Sequence, residues 1–489
     1  MGHMRPGLKS ARVIPALLSL ALVAGCTVGG PATDSRRSVS GTHSSRTLTG
    51  SLQGASYIVQ VPGSWNGVLL LYNHGGGALT PNAAAENTSD PITSAYLLEH
   101  GYALAGSSFR SSGWFIEDAL ADDLALLGEF RRLVGRPTRT IAWGVSLGSM
   151  VTLGLAERNP DRIDGALAMC GVVADAVPFW NQNLDAALAF KILFAENDPQ
   201  IRVTGSDPST AASDDAHSLL QAARASAVGR ARTALSAALR EIPLSGFFGT
   251  GGLIPALLPS GQSLEDLRAA QLADLLSAAL GDYSLNHPAL ERRAGGNPSS
   301  NQGIDYGRLL AASPDYAELK GLYQAAGLSL DSDVARLNRA PRVSADPAAV
   351  AYVSRFLTFT GGLHVPVLTL HTLADESTPV QLEEAYRSKV RSAGRSAWLR
   401  QLFVDRGSHC NFTTAEIAVA LDVLSSRIAT GKWGRADDLT ALNSETAAFG
   451  AQYRAPIRVR AVGLPATQNS RSFVAFESIG LLRDAAGEP

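Results

Sequence analysis

The sequence has few cysteines and no pattern that would make them metal ligands. Three Cys occur among 489 residues, at positions 26, 170 and 410, and no paired Cys/His spacing of the zinc type accompanies them. A zinc-organised fold and a disulfide-dense scaffold are therefore excluded. No G-x-x-x-x-G-K-[ST] stretch is present, and no G-x-G-x-x-G opens a helix. The common phosphate cradles are thus missing, and with no fixed-period repeat a solenoid is excluded as well. Charge of one sign is not in surplus. Lys and Arg number 42 against 44 Asp and Glu, a net charge of −2, which gives no footprint for nucleic acid or an anionic membrane surface. What remains is an ordinary globular composition, 45% hydrophobic and 18% charged. The chain is too long for one simple core, so one large domain with an insertion, or two domains, is expected.

The N-terminus reads as an export signal. Arg5, Lys9 and Arg12 precede an apolar run, Val13 to Ala24, too short for a comfortable membrane span. The run ends Leu22-Val23-Ala24-Gly25-Cys26, which resembles a bacterial lipobox, in which cleavage leaves a lipidated cysteine as the new N-terminus. An ordinary signal peptide, with Cys26 incidental, is the alternative; both readings export the protein. Residues 1–25 are then the signal peptide and 26–45, rich in Gly, Ser and Thr, a flexible tether. In an exported protein the remaining pair, Cys170 and Cys410, is a disulfide candidate. The alternative is two buried thiols packed as small hydrophobes.

The most informative stretch is Gly144-Val145-Ser146-Leu147-Gly148. It follows an expected strand, Thr138 to Trp143, and opens an expected helix, Leu147 to Arg158, that ends at Asn159-Pro160. Strand, G-x-S-x-G, helix is the context in which the serine stands exposed on a sharp turn. The helix that starts there aims its free N–H groups at any developing anion.

Other strands are expected at Ala55–Val61, Gly67–Asn73, Tyr102–Ser107, Ile163–Met169, Val365–His371 and Leu399–Val404. Helices are expected at Pro91–His100, Phe115–Leu133, Pro379–Val390 and Thr413–Ile428. This alternation implies an α/β fold with a mostly parallel central sheet covered on both faces. It stops near residue 175, where an Ala/Leu-rich helical stretch begins, and resumes after residue 361. The expected organisation is a core at 46–175 and 362–430, a large helical lid insertion at 176–361 and an appendage at 431–489. Within the appendage Ile457–Val462 and Ser472–Phe476 read as possible strands.

A serine nucleophile needs a base, and the base an orienting carboxylate. Asp375 follows the strand ending at His371, and His409 follows the strand Leu399–Val404. Glu376 adjoins Asp375, but its side chain is expected to leave the turn on the other side, so Asp375 is the expected acid. Asp405 is expected to stabilise its loop, His74 to shape the loop after the third strand, and His371 to be a structural histidine.

With these residues in the order Ser, Asp, His, the chain resembles the α/β-hydrolase-fold serine hydrolases. Gly144 to Gly148 matches their nucleophile elbow, and His74-Gly75-Gly76-Gly77 their oxyanion loop. The resemblance implies Ser146, His409 and Asp375 as catalytic triad. It implies backbone N–H groups of Leu147, Gly75 and Gly76 as oxyanion donors, and neither metal nor cofactor. Tannase and feruloyl-esterase-like hydrolases carry bonded cysteines beside the catalytic Ser and His. This chain has Cys410 after His409 but Val145 before Ser146, and Cys170 on the next strand is the residue able to supply the missing half.

The expected substrate is a small or polymeric carboxylic ester of a hydrophobic acid or alcohol, with Trp114, Phe179, Trp180, Phe247 and Phe248 lining its pocket. The expected location is the outer face of a bacterial membrane, held only by lipid at Cys26, or the medium. One alternative is an aminopeptidase-like amide hydrolase, with Glu196 and Asp198 holding an amine. The other is a non-catalytic binding lipoprotein, which an intact Ser/Asp/His set disfavours.

Overall fold

A computed structural model describes residues 45–76, 84–111, 113–205, 210–244, 264–457, 472–477 and 480–485. These fall within one compact unit, His43–Pro489. The export signal, the tether with Cys26, Gly77, Phe247, Phe248 and residues 458–462 lie outside the described residues.

Nine strands form one sheet in the order β1-β2-β4-β3-β5-β6-β7-β8-β9 among the described residues. They are β1 (Arg46–Leu52), β2 (Ala55–Val61), β3 (Val68–Asn73), β4 (Ala103–Ser107), β5 (Arg139–Val145), β6 (Gly165–Met169), β7 (Val367–Ala374), β8 (Leu399–Gly407) and β9 (Phe473–Val474). From β4 to β8 every pairing is parallel, while β1, β2 and β9 pair antiparallel at the edges. The buried strands carry apolar residues on both faces, as a doubly covered parallel sheet requires. In β3, Leu69 and Leu71 join the core on one face while Leu70 and Tyr72 join that on the other.

Helices α1 (Pro91–Glu99), α2 (Ile116–Leu133) and α3 (Leu147–Arg158) connect the first parallel strands. Between β6 and β7 the described residues hold eight helices: α4 (Ala176–Phe194), α5 (Thr210–Ala223), α6 (Ala227–Leu239), α7 (Leu264–Ala294), α8 (Tyr306–Ala311), α9 (Tyr316–Ala325), α10 (Leu330–Arg339) and α11 (Pro347–Phe356). After β7 come α12 (Gln381–Ser392), α13 (Thr414–Thr430), α14 (Leu439–Ala448) and α15 (Leu482–Ala485). Core residues of α2, α3 and α12 pack with the inserted helices on one face of the sheet, and those of α1, α13 and α14 on the other.

Four features differ from the sequence-based expectation. β1 is a strand that the sequence conceals. Its residues are mostly exposed, and Leu48 and Leu52, its only apolar side chains, are too few to show a period of two. β7 runs on to Ala374, so His371 lies inside the strand and Asp375 follows it directly. β8 likewise continues to Gly407. Lastly, the tail returns to the body. β9 pairs with β8, and Arg483 forms a buried ion pair with Asp185 of α4 at 2.7 Å.

Candidate active site

Ser146 sits between β5 and α3 with φ 54° and ψ −124°, a conformation L-residues avoid at about 1–3 kcal/mol. The surroundings enforce it. Its N–H donates to the Met169 carbonyl at 2.9 Å, and the Ser149 hydroxyl donates to the Ser146 carbonyl at 2.5 Å. The motif glycines are required by space. A Cβ on Gly148 would lie 2.0 Å from the Asn73 oxygen, and one on Gly144 2.5 Å from the Gly148 oxygen. β3 and the turn therefore interlock, with no room for a side chain at either position.

The loop after β3 lies against the nucleophile: a Cβ on Gly75 would be 3.2 Å from the Ser146 Cβ. Gly76 lines the cavity above Ser146. Leu147 is the first residue of α3, so its N–H belongs to the helix end that no intrahelical carbonyl satisfies. His74 bonds through Nδ1 to the Gly75 carbonyl at 2.7 Å and stacks on Phe109, which fits its expected part in shaping this loop.

His409 Nε2 stands 2.8 Å from Ser146 Oγ. Its Nδ1 meets both carboxylate oxygens of Asp375, at 2.8 and 2.9 Å. The Asp375 Oδ1 also accepts the N–H groups of Ser377 at 3.0 Å and Thr378 at 2.8 Å, which fixes the turn carrying it. Burial would raise the Asp375 carboxyl, but the charge and hydrogen bond of His409 hold it below its ordinary value. Burial would lower the His409 imidazole, but Asp375 holds it above its ordinary value, with help from Glu376 and Asp282.

Cys170 and Cys410 are bonded, with Cα atoms 5.3 Å apart. Val145 does precede the serine, and the end of β6 supplies the second sulfur. The bond is one of several ties on the histidine loop. Arg406 donates to the Asn411 carbonyl at 2.7 Å and pairs with Glu416, both side chains being buried. Glu416 in turn closes a capping box with Thr413 at the start of α13. Thr378 Oγ1 donates to the Cys170 carbonyl at 3.0 Å, so the acid turn and the disulfide strand are joined.

Above Ser146 lies a cavity of about 580 Å³. Trp114, Phe179 and Trp180 line it as expected, the Trp114 ring 5.4 Å from Phe179 and 4.6 Å from Trp180. Tyr283 of α7 extends this wall, 6.0 Å from Trp180. Glu376, and not Asp375, faces this cavity. Its side chain lines the same cavity, because Asp375 is already turned to His409 and the next side chain is presented to the space above. Burial, then the neighbouring Asp375, raise the Glu376 carboxyl to about 7. Asp214, His217, Asp274 and Asp282 also line the cavity. They come from α5 and α7, and no motif marks them in the sequence.

Glu196 and Asp198 are not among the lining residues. Glu196 pairs with Arg336 at 2.8 Å, and Asp198 accepts the Gln200 N–H at 2.8 Å. The other histidine with a serine and an acid beside it is His287, with Ser299 Oγ at 2.8 Å and Glu291 Oε1 at 3.3 Å. Ser299 is fully buried, so this arrangement braces α7 and is closed to a substrate. Among the described residues the one group of three metal-ligating side chains is Cys170, His409 and Cys410, and its two sulfurs are bonded to each other.

The strand order, the elbow and the Ser–His–Asp relay define an α/β-hydrolase. The chain belongs to the Tannase-like family of unknown function (DUF6351), whose model matches residues 48–396. It is 30% identical over 420 residues to the o-phthalyl amidase of Xanthobacter agilis, an alignment covering 80% of this chain and 89% of that protein. Among solved structures it is similar to an esterase from Aspergillus oryzae, at 14% identity and TM-score 0.38 over 79% of each chain. It is also similar to feruloyl esterase B from Aspergillus oryzae, at 15% identity and TM-score 0.34 over 79% of this chain and 80% of that one. The protein is a hydrolase of the ester or amide type.

Proposed function

We propose that the chain is a serine hydrolase that cleaves carboxylic esters of hydrophobic, chiefly aryl, acids through an acyl-enzyme on Ser146. The observation that carries this is the continuous relay from Ser146 Oγ through His409 to Asp375, open to an aromatic-walled cavity. His409 takes the serine proton as Oγ attacks the carbonyl carbon. The N–H groups of Leu147 and of the Gly75–Gly76 loop hold the oxyanion, one such donor being worth about 3–4 kcal/mol of barrier. His409 then protonates the leaving alcohol, and water repeats the sequence on the acyl-enzyme.

The second reading is amide cleavage by the same residues, favoured by the likeness to an amidase. Rates on matched benzoate esters, benzanilides and aminoacyl anilides decide between them. The ester reading expects the esters to dominate kcat/KM, and dominance by either anilide class reverses it.

The pH profile follows from the state of His409, which acts as base only when neutral. Its pKa lies above the usual imidazole value of about 6.5. Activity is therefore expected to fall as pH drops through a limb centred above that value. The Glu376 carboxyl, raised to about 7, acts on this imidazole and is acted on by it, so the limb belongs to the pair. In Glu376→Gln one negative charge beside the imidazole is lost, and the limb is expected to move to lower pH. A limb unmoved in a kcat/KM profile contradicts this coupling.

Export is part of the proposal, supported by the basic and apolar N-terminal run ending at Cys26. The mature protein from its native host is expected to begin at Cys26 carrying diacylglycerol. Mass spectrometry showing an unlipidated start elsewhere rejects the anchor. Among the described residues no helix is long and apolar enough to cross a membrane.

A further inference from the structure

The cavity has two unlike walls. The aromatic wall lies over α4 and the loop before α2. The other wall carries Glu376 beside the histidine, with Asp282, Asp274 and Asp214 further along α7 and α5. No Lys or Arg lines the cavity among the described residues. Arg240, packed over the Phe179 ring, directs its guanidinium to Gln182 and to the Ser377 carbonyl.

Glu376 is the informative member. It is 6% exposed; the His409 backbone N–H bonds its carboxyl, while its Oε2 is buried with no hydrogen-bond partner among the described residues. A buried carboxyl oxygen left in this state loses its hydration and gains nothing in return. The three residues in a row explain its placement. Asp375 is bonded to His409, Ser377 Oγ donates to Asp282 Oδ2 at 2.5 Å, and Glu376 between them faces the space over the nucleophile. Both carboxyls thus stand on the histidine side, where the leaving group must lie to receive the proton from His409.

We infer that Glu376 and Asp282 form a subsite for a positively charged group on the alcohol or amine half of the substrate, while the aromatic wall takes the acyl half. This rests on the hydrolase reading above and adds the chemical class of the leaving group. A cation there meets the buried Glu376 carboxylate and the exposed Asp282 carboxylate at its side, with the Tyr283 and Trp180 rings alongside. A substrate with an anion in that half meets the same carboxylates, offset in part by the buried Arg240 guanidinium that acts on both.

The test uses three benzoate esters at pH 8, where Glu376 is mostly ionised: benzoylcholine, its neutral isostere 3,3-dimethylbutyl benzoate, and 3-carboxypropyl benzoate. The wild-type ratio of kcat/KM for the cationic over the neutral ester is expected to be about tenfold or more, with the anionic ester slowest. Glu376→Gln and, separately, Asp282→Asn are each expected to bring that ratio several-fold toward one. The ratio is internal to each protein, so the fraction that folds cancels, and Asp282 on the lid helix gives a second variant away from the acid turn. A wild-type ratio of one or less, with the neutral ester turned over, overturns the subsite and leaves the hydrolase reading standing. A ratio that survives both substitutions overturns the assignment to these residues. Failure to cleave any ester or amide removes the hydrolase reading, and the subsite falls with it.

Discussion

Ser146→Ala is expected to lower kcat on a p-nitrophenyl ester by about 10⁶-fold, with the fold intact. The reason is local. The variant loses one oxygen, and that oxygen is the atom His409 reaches at 2.8 Å. The backbone at Ser146 is held by the Met169 carbonyl, the Ser149 hydroxyl and the interlock of Gly148 with β3, none of which involves Oγ. Near-ultraviolet circular dichroism should therefore be unchanged. Because the three side chains act as a unit, Ser146→Ala/His409→Ala should be no slower than either single variant. Asp375→Asn should lose less, about 10⁴-fold, since it spoils the tautomer and orientation of the imidazole and leaves the nucleophile in place. Full turnover by Ser146→Ala would mean that another group performs the attack.

Loss of the Cys170–Cys410 bond is expected to be felt in activity before stability. The bond spans 240 residues of sequence, including the whole helical insertion. Chain-entropy arithmetic for so long a loop gives about 5 kcal/mol, with measured gains often smaller. The ties among Arg406, Asn411, Glu416 and Thr413 keep the end of the histidine loop attached to α13 when the sulfurs part. They do not hold Cys410 to the end of β6. Reduction should thus let His409 drift from Ser146 while the sheet stays folded, and a displacement of about 1 Å can cut the rate by about 100-fold. Activity and tryptophan fluorescence followed together along a dithiothreitol titration should show activity falling first. Coincident loss of both would show that the bond acts on the fold as a whole.

The sequence displays the parts of this site that depend on local pattern. The elbow is legible because its glycines are enforced by the close passage of β3, and the strand before it and helix after it each have clear boundaries. Asp375 is legible because it follows a buried, largely apolar strand, and His409 because it follows the apolar run Leu402–Val404 of the next. That Glu376 diverges from Asp375 is legible, but that the cavity lies on its side is not, because the cavity wall is set by the packing of the inserted helices. Asp282, Asp214, Asp274 and His217 leave no trace in sequence. They sit on helices whose approach to the sheet is set by tertiary packing, and on a helix an acid facing a cavity resembles an acid facing water. The same limit hides β1, an exposed edge strand without a period, and the return of the tail, where contacts such as Arg483–Asp185 join residues 298 positions apart.

The central claim is that Ser146 carries the acyl group, and the most direct measurement is to trap it. The protein would be treated with a fluorophosphonate, digested, and sequenced by mass spectrometry. The expected result is one adduct, on Ser146 in the peptide spanning Gly144 to Gly148, formed in step with loss of esterase activity and greatly slowed in His409→Ala. An adduct on a different residue in step with that loss, or esterase activity that persists after Ser146 is fully labelled, would contradict it.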